Sequence, residues 1–145
     1  MRKIKLVISI SLTLLFFCSV SFSANNNYFS EAKVLFEKEQ FDKSKLLFEK
    51  DIVFNPKSEK SYLYLAKIFN KNENELQQEI NLNSVLLLNP KNEEAIYMMA
   101  IIKINQADYN ESKKLIKKFS LVCMSFCSKK TELNNKFGKL NPENE

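Results

Sequence analysis

Cys123-Met124-Ser125-Phe126-Cys127 is the stretch whose residue types and spacing most invite covalent chemistry. Two thiols with three residues between them can close a structural disulfide, stay buried as free thiols, or act as a redox couple. A redox couple usually has two intervening residues at a helix start, where a thiol pKa is lowered. Three intervening residues favour a structural role. In one unbroken helix the two Cα atoms would lie about 6 Å apart, near the outer limit for a bridge, so a turn between them would ease closure. Two thiols alone do not complete a tetrahedral metal site, and neither a metal nor a cofactor is expected. The other polar residues nominate no catalyst. The chain has no His, which removes the commonest metal ligand and general base and every Ser-His or Cys-His pair. Carboxylate pairs such as Glu37 and Glu39, or Glu93 and Glu94, read as solvated helix faces. The one Gly, Gly138, cannot build a phosphate-cradling loop. No enzymatic activity is expected.

The elements that position these residues follow from composition. The chain has 145 residues, 45% hydrophobic and 27% charged, the size of one domain. One Gly and three Pro are too few turn formers for a sandwich or barrel, so the protein is expected to be helical. Residues 1–23 stand apart. Arg2, Lys3 and Lys5 form a basic start, Leu6 to Phe17 run apolar, and Ser21-Phe22-Ser23 places small residues just before Ala24. This reads as a secretory signal peptide. The apolar run is short of the roughly 20 residues of a membrane span. A retained anchor, or lipid on Cys18, is the alternative, and Phe17 is bulky where lipoprotein processing takes a small residue. Of 22 basic residues three lie in this segment, and of 17 acidic residues none does, so the remainder carries +2. It also contains no Arg, and nucleic acid is therefore not an expected partner. Cys123 and Cys127 are then the only cysteines left, and an even number in an exported chain favours a disulfide.

The rest of the chain repeats every 34 residues. Phe54-Asn55-Pro56 returns as Leu88-Asn89-Pro90. Tyr28, Tyr62 and Ile96 align at that offset, as do Phe29, Leu63 and Tyr97, then Ala32, Ala66 and Ala100, and Phe48, Leu82 and Ile116. A period of this length is the mark of a helical-repeat array. Tyr62, Leu65, Ala66 and Phe69 fall on one helical face, polar residues from Asn70 to Asn74 break the pattern, and a second helix runs to Asn89-Pro90, where Pro stops it. The alanines let antiparallel helices cross closely.

With Gln40-Phe41-Asp42-Lys43-Ser44 and Asp108-Tyr109-Asn110-Glu111-Ser112 as turns between paired helices, the chain resembles the tetratricopeptide-repeat family, as an exported bacterial member. The resemblance implies an all-α fold: a right-handed α-solenoid of about three helix-turn-helix repeats over 24–126 (25–58, 59–92 and 93–126) with a capping helix over 127–138 and a tail at 139–145. Gly138 would cap that last helix, with Pro142 as a stop beyond it, and Leu133 and Phe137 would cover the final repeat. The middle unit departs from the pattern, with Glu75 for the turn aromatic and Gln78 for the small residue. Leu76 and Ile80 are expected to take over the packing there and rotate the helix. Glu31 is tolerable at an exposed end, and Lys103 stands at a core position.

The resemblance also places a peptide-binding groove on the first helix of each unit: Phe29, Lys33 and Phe36; Leu63, Lys67 and Asn70; Tyr97, Ile101 and Ile104. Lys33, Lys67 and Asn70 partly match the carboxylate clamp of some relatives. The expected function is a non-enzymatic adaptor in the periplasm, or secreted, that captures a segment of another cell-envelope protein. A membrane-tethered assembly factor is the alternative, with membrane contact only through an uncleaved signal or a lipid. A thiol-disulfide protein using Cys123 and Cys127 is the remote one.

Overall fold

The computed structural model describes residues 27–140. The expected signal segment, Cys18 and the residues from Asn141 onward lie outside that range. Seven α-helices follow one another: α1 Tyr28–Glu37, α2 Phe41–Phe54, α3 Glu59–Lys71, α4 Glu75–Leu88, α5 Glu93–Asn105, α6 Tyr109–Val122 and α7 Lys130–Leu140, with a 3-10 turn at Cys127–Lys129 just before α7. No strand occurs among the described residues. Each helix packs on its neighbours in the chain, so α1 pairs with α2, α3 with α4 and α5 with α6, and the pairs stack into an all-α solenoid.

The turn inside each pair is made the same way. Glu39, Glu73 and Ala107, one repeat apart, have φ of 57°, 53° and 56°. The next residue's N–H reaches back six residues inclusive, Gln40 to Leu35, Asn74 to Phe69 and Asp108 to Lys103, at 2.9 Å each. This is the Schellman closure, normally built on Gly at the left-handed position. Asn74 and Asp108 then cap the following helix by accepting from the N–H of Gln77 and Glu111. Asn55-Pro56 and Asn89-Pro90 end α2 and α4, as expected for residues that cannot continue a helix.

Small residues sit at the helix crossings. Ala32, Ala66 and Ala100 are fully buried, and the Ser44 hydroxyl donates to the Ala32 carbonyl at 2.8 Å. The middle unit keeps the same register, which corrects the expected rotation. Gln78 is buried, while Leu76 and Ile80 face outward. Long Gln78 is accommodated where the other units have Ser44 and Ser112, because the crossing tolerates a flexible side chain better than α4 tolerates turning its whole core stripe. Lys103 is satisfied by Glu79 of α4, Nζ to Oε1 at 2.5 Å, which holds the Glu79 carboxyl below its ordinary range.

The two ends of the described stack present mainly polar side chains, with Val34 as an exposed apolar one at the first unit. At the first unit Asn27, Ser30 and Glu31 are exposed, where Ser61 and Leu65, or Ala95 and Met99, are buried in later units. At the other end Leu133 of α7 is fully buried, and Phe137 meets the Tyr109 ring edge-on at 6.3 Å. Gly138 is not the cap. It has no positive φ, a Cβ there would meet nothing within 4 Å, and α7 runs through it to Leu140.

Candidate functional site

The face made by α1, α3 and α5 carries two clefts that are copies of each other. The first, about 400 Å³, is lined by Phe29, Asn55, Lys57, Ser58, Glu59 and Lys60, with Asp51 behind them. The second, about 320 Å³, is lined by Leu63, Asn89, Lys91, Asn92, Glu93 and Glu94, joined by Val122, Met124, Ser125 and Phe126. The first six of each set are one repeat apart, in order. Each cleft therefore sits where a helix of the inner row begins and the preceding turn ends, with one large apolar side chain as its floor.

A carboxylate holds the far wall in place. Glu59 Oε1 accepts from Asn89 Nδ2 at 3.0 Å and from Asn92 Nδ2 at 2.6 Å, tying the start of α3 to the turn that follows α4. Glu93, its counterpart, does the same one unit later with the 123–127 loop. It accepts from the N–H of Met124 at 2.6 Å, of Ser125 at 3.1 Å and of Phe126 at 3.1 Å, and from the Ser125 hydroxyl. The Ser125 hydroxyl first, then the Met124 amide, bring the Glu93 pKa down to about 2, since every donor favours the ionised form. In the first cleft Ser61 Oγ donates to buried Asp51 at 2.5 Å.

Cys123 and Cys127 bracket the loop that Glu93 grips. α6 stops at Val122, and Cys123 is already extended, so the pair is not in one continuous helix. Their sulfurs lie 2.12 Å apart and their Cα atoms 5.1 Å apart, a bridged geometry. Among the described residues no group of three or more His, Cys, Asp or Glu could hold a metal, and no helix is long and apolar enough to cross a membrane.

The nine residues expected in the groove divide. Phe29 and Leu63 floor the clefts. Phe36 lies edge-on to Phe41 and Tyr64 at 5.4 and 5.0 Å. Lys33 and Asn70 are exposed, with Lys33 3.6 Å from Glu37. Lys67 is already committed: Nζ lies 2.9 Å from Glu94 and 4.9 Å over the Tyr64 ring, so a three-member carboxylate clamp is not assembled. Ile101 is half-buried against the core, and Ile104 is a core residue at 2% exposure, which removes it from the groove lining. Tyr97 is roofed by the C-terminal segment. Its hydroxyl donates to Glu132 at 2.8 Å, Lys129 Nζ lies 5.7 Å from the ring centre, and Phe119 and Phe126 flank it at 6.1 Å each. Burial, then the Glu132 hydrogen bond, push the Tyr97 phenol up to about 12. The residues not foreseen are Glu59, Lys60, Asn89, Asn92 and Glu93. Their signal was the 34-residue offset itself, read on polar positions as well as apolar ones.

No protein-family model matches the sequence, and no curated protein is detectably similar to it. Solved structures are similar in shape. The first tetratricopeptide domain of Spaghetti (RPAP3), bound to the HSP90 peptide SRMEEVD, superposes with a TM-score of 0.69 at 14% identity, over 78% of this chain and 90% of that one. The Sgt2 tetratricopeptide domain from Aspergillus fumigatus gives 0.68 at 14% identity, over 87% and 85%. A chain of the CopN-Scc3 complex gives 0.65 at 17% identity, over 80% and 70%. The fold is the tetratricopeptide-repeat fold. In a tetratricopeptide-repeat solenoid the first helix of each unit lines the inner face, the row to which α1, α3 and α5 correspond, and α7 packs on α5 and α6 where a fourth first helix would stand.

Proposed function

We propose that this protein is a non-enzymatic adaptor that holds an extended segment of a partner protein across the inner face of α1 and α3. The observation that carries this reading is the pair of repeat-related clefts. Two apolar floors, one repeat apart and each rimmed by an asparagine, a lysine and a glutamate, with Lys60 of the first answered by Glu94 in the second, suit a peptide that sets alternate side chains into successive pockets while its backbone meets polar groups. The peptide bound to the Spaghetti domain supports such use of this fold. The tie between Glu59 and Asn89 and Asn92 supports it too, since a preformed wall lowers the ordering cost of binding.

The same reading puts the protein in the periplasm, on the strength of Arg2, Lys3, Lys5, the apolar run to Phe17 and the small residues before Ala24. An oxidised Cys123–Cys127 pair belongs with it, because such bridges persist in oxidising compartments. The partner is then a cell-envelope protein.

One experiment serves both halves. The protein is recovered from the periplasm, weighed intact, and used to capture partners from an envelope extract beside Leu63→Asp, Lys60→Glu and, as control, Asn134→Asp on the exposed face of α7. An N-terminus near Ala24 is expected; a mass that retains residues 1–23, or lipid on Cys18, removes the soluble periplasmic reading. Leu63→Asp is expected to lower capture by ~10-fold or more, as for a large side chain at an interface centre. Because Leu63 also packs on the core, exposed Lys60→Glu is the variant expected to lower capture with the melting curve by circular dichroism little changed. Folded variants that capture as well as the parent would move the site off this face.

A further inference from the structure

Apart from Val34 and Met124, the exposed large apolar side chains among the described residues lie on the outer row, α2, α4 and α6. On α4, Leu76, Ile80 and Leu87 are 69%, 48% and 83% exposed. With Asn83, also exposed, they follow one another at intervals of four, three and four residues. That interval is the seam of a coiled coil, in which a polar residue fixes register. Among the described residues nothing buries this seam. The flanking helices repeat it at the same positions with opposite charges. On α2 it reads Asp42, Leu46, Glu49, Val53, and on α6 Asn110, Lys114, Lys117, Leu121. Val53 and Leu121 are 75% and 77% exposed, like Leu87 between them. Lys113, Lys114 and Lys117 line a shallow hollow of about 520 Å³ with Asn110.

We propose that this outer face binds a second copy of the chain, with the two-fold axis running alongside α4. Such an axis sets α4 on α4 in parallel, so that Leu76, Ile80, Asn83 and Leu87 each meet their own counterpart. It also sets α2 opposite α6 of the other copy, both running the same way. Glu49, which lies 2.8 Å from Lys45 of its own helix, then faces Lys117, Asp42 faces Asn110, Leu46 meets the methylene stem of Lys114, and Val53 faces Leu121, twice over by symmetry, as a closed isologous contact requires. Asp42 and Glu49 on the α2 seam complement the lysines on the α6 seam, a pairing that a second copy offers and an anionic bilayer does not; Lys43, Lys45 and Lys50 flank the α2 seam. The inner face stays open, so the dimer would offer two outward-facing grooves, and its existence does not depend on what they hold.

The test is the mass in solution of the periplasmic protein, by light scattering on a sizing column. Twice the chain mass is expected at ~20 µM, within the range of ordinary homodimers. Ile80→Glu with Leu87→Glu should leave the single-chain mass at unchanged helicity, because both side chains are exposed. Glu49→Lys alone and Lys117→Glu alone should each weaken association by ~10-fold, as like charges then face each other, and the two together should restore it. A protein that stays single at ~200 µM, where a contact of this size class would form, overturns the proposal. So does a dimer that the α4 variants do not touch, or a charge swap that fails to rescue. A single chain that instead co-sediments with phosphatidylglycerol vesicles, and loses them on Leu87→Glu, assigns the face to a membrane surface and overturns it equally.

Discussion

Glu39, Glu73 and Ala107 occupy a backbone region that costs an L-residue about 1–2 kcal/mol, and each is repeated because the turn between paired helices demands it. Gly would adopt that conformation freely but adds ~0.5–1 kcal/mol of unfolded-chain entropy to be lost. The balance predicts that Glu39→Gly and Glu73→Gly each stabilise the protein by up to ~1 kcal/mol, while Ala107→Val, β-branched at the same place, destabilises it by more than that. Urea midpoints of the three variants check this, and a loss of stability in both Gly variants would show that the left-handed turns are not strained. These positions were not legible in the sequence. The usual flag is a Gly, and the chain has none there, so the turns could be located only by the break in apolar spacing around them.

The 123–127 loop is the element whose geometry rests most on one ionised group. Glu93 is held at a pKa of about 2 against its ordinary 4.5. A depressed folded-state pKa contributes stability that is present above about 4.5 and is lost as pH falls towards 2. Glu93→Gln removes that charge, so its stability should change less than the parent's across this window, and the gap between them should narrow as pH falls. Chemical denaturation at stepped pH measures it. Parallel curves for the two proteins would mean the loop does not depend on the charge. At this scale the sequence was a partial guide. The 34-residue offset located the helix pairs, but in the middle unit apolar Leu76 and Ile80 looked like better core than Gln78. Helix register is fixed by every residue of the buried stripe together, Leu82 and Val85 included, and one polar side chain cannot outweigh them. Likewise Gly138 resembles a cap only while its neighbours are unknown; Lys139 and Leu140 continue the helix.

Across the whole molecule the core is in two parts that meet inside α3. Leu65 and Ile68 join Ala32 and Phe48 of the first unit, while Ala66 turns to the second and third units and to Leu133. Stability in a repeat array is a sum over units and their interfaces, so the smaller first part should open alone. Hydrogen exchange by mass spectrometry is expected to show α1 and α2 less protected than α4 to α6; equal protection throughout would make the molecule one cooperative unit. The groove was legible to the extent that it depends on repetition, through Phe29 and Leu63. Ile104 was misread, since it is buried, and half-buried Tyr97 carries contacts to Glu132 and Lys129 that a positional rule taken from a middle repeat does not contain. The ends of the described stack differ from its middle. At the first unit Asn27, Ser30 and Glu31 are exposed, together with Val34, whose counterparts Ile68 and Ile102 are buried, and at the other end α7 turns polar residues outward. A middle unit such as residues 59–92 is covered on both sides, so duplicating it would insert one more cleft and one more clamping glutamate between neighbours that already fit it.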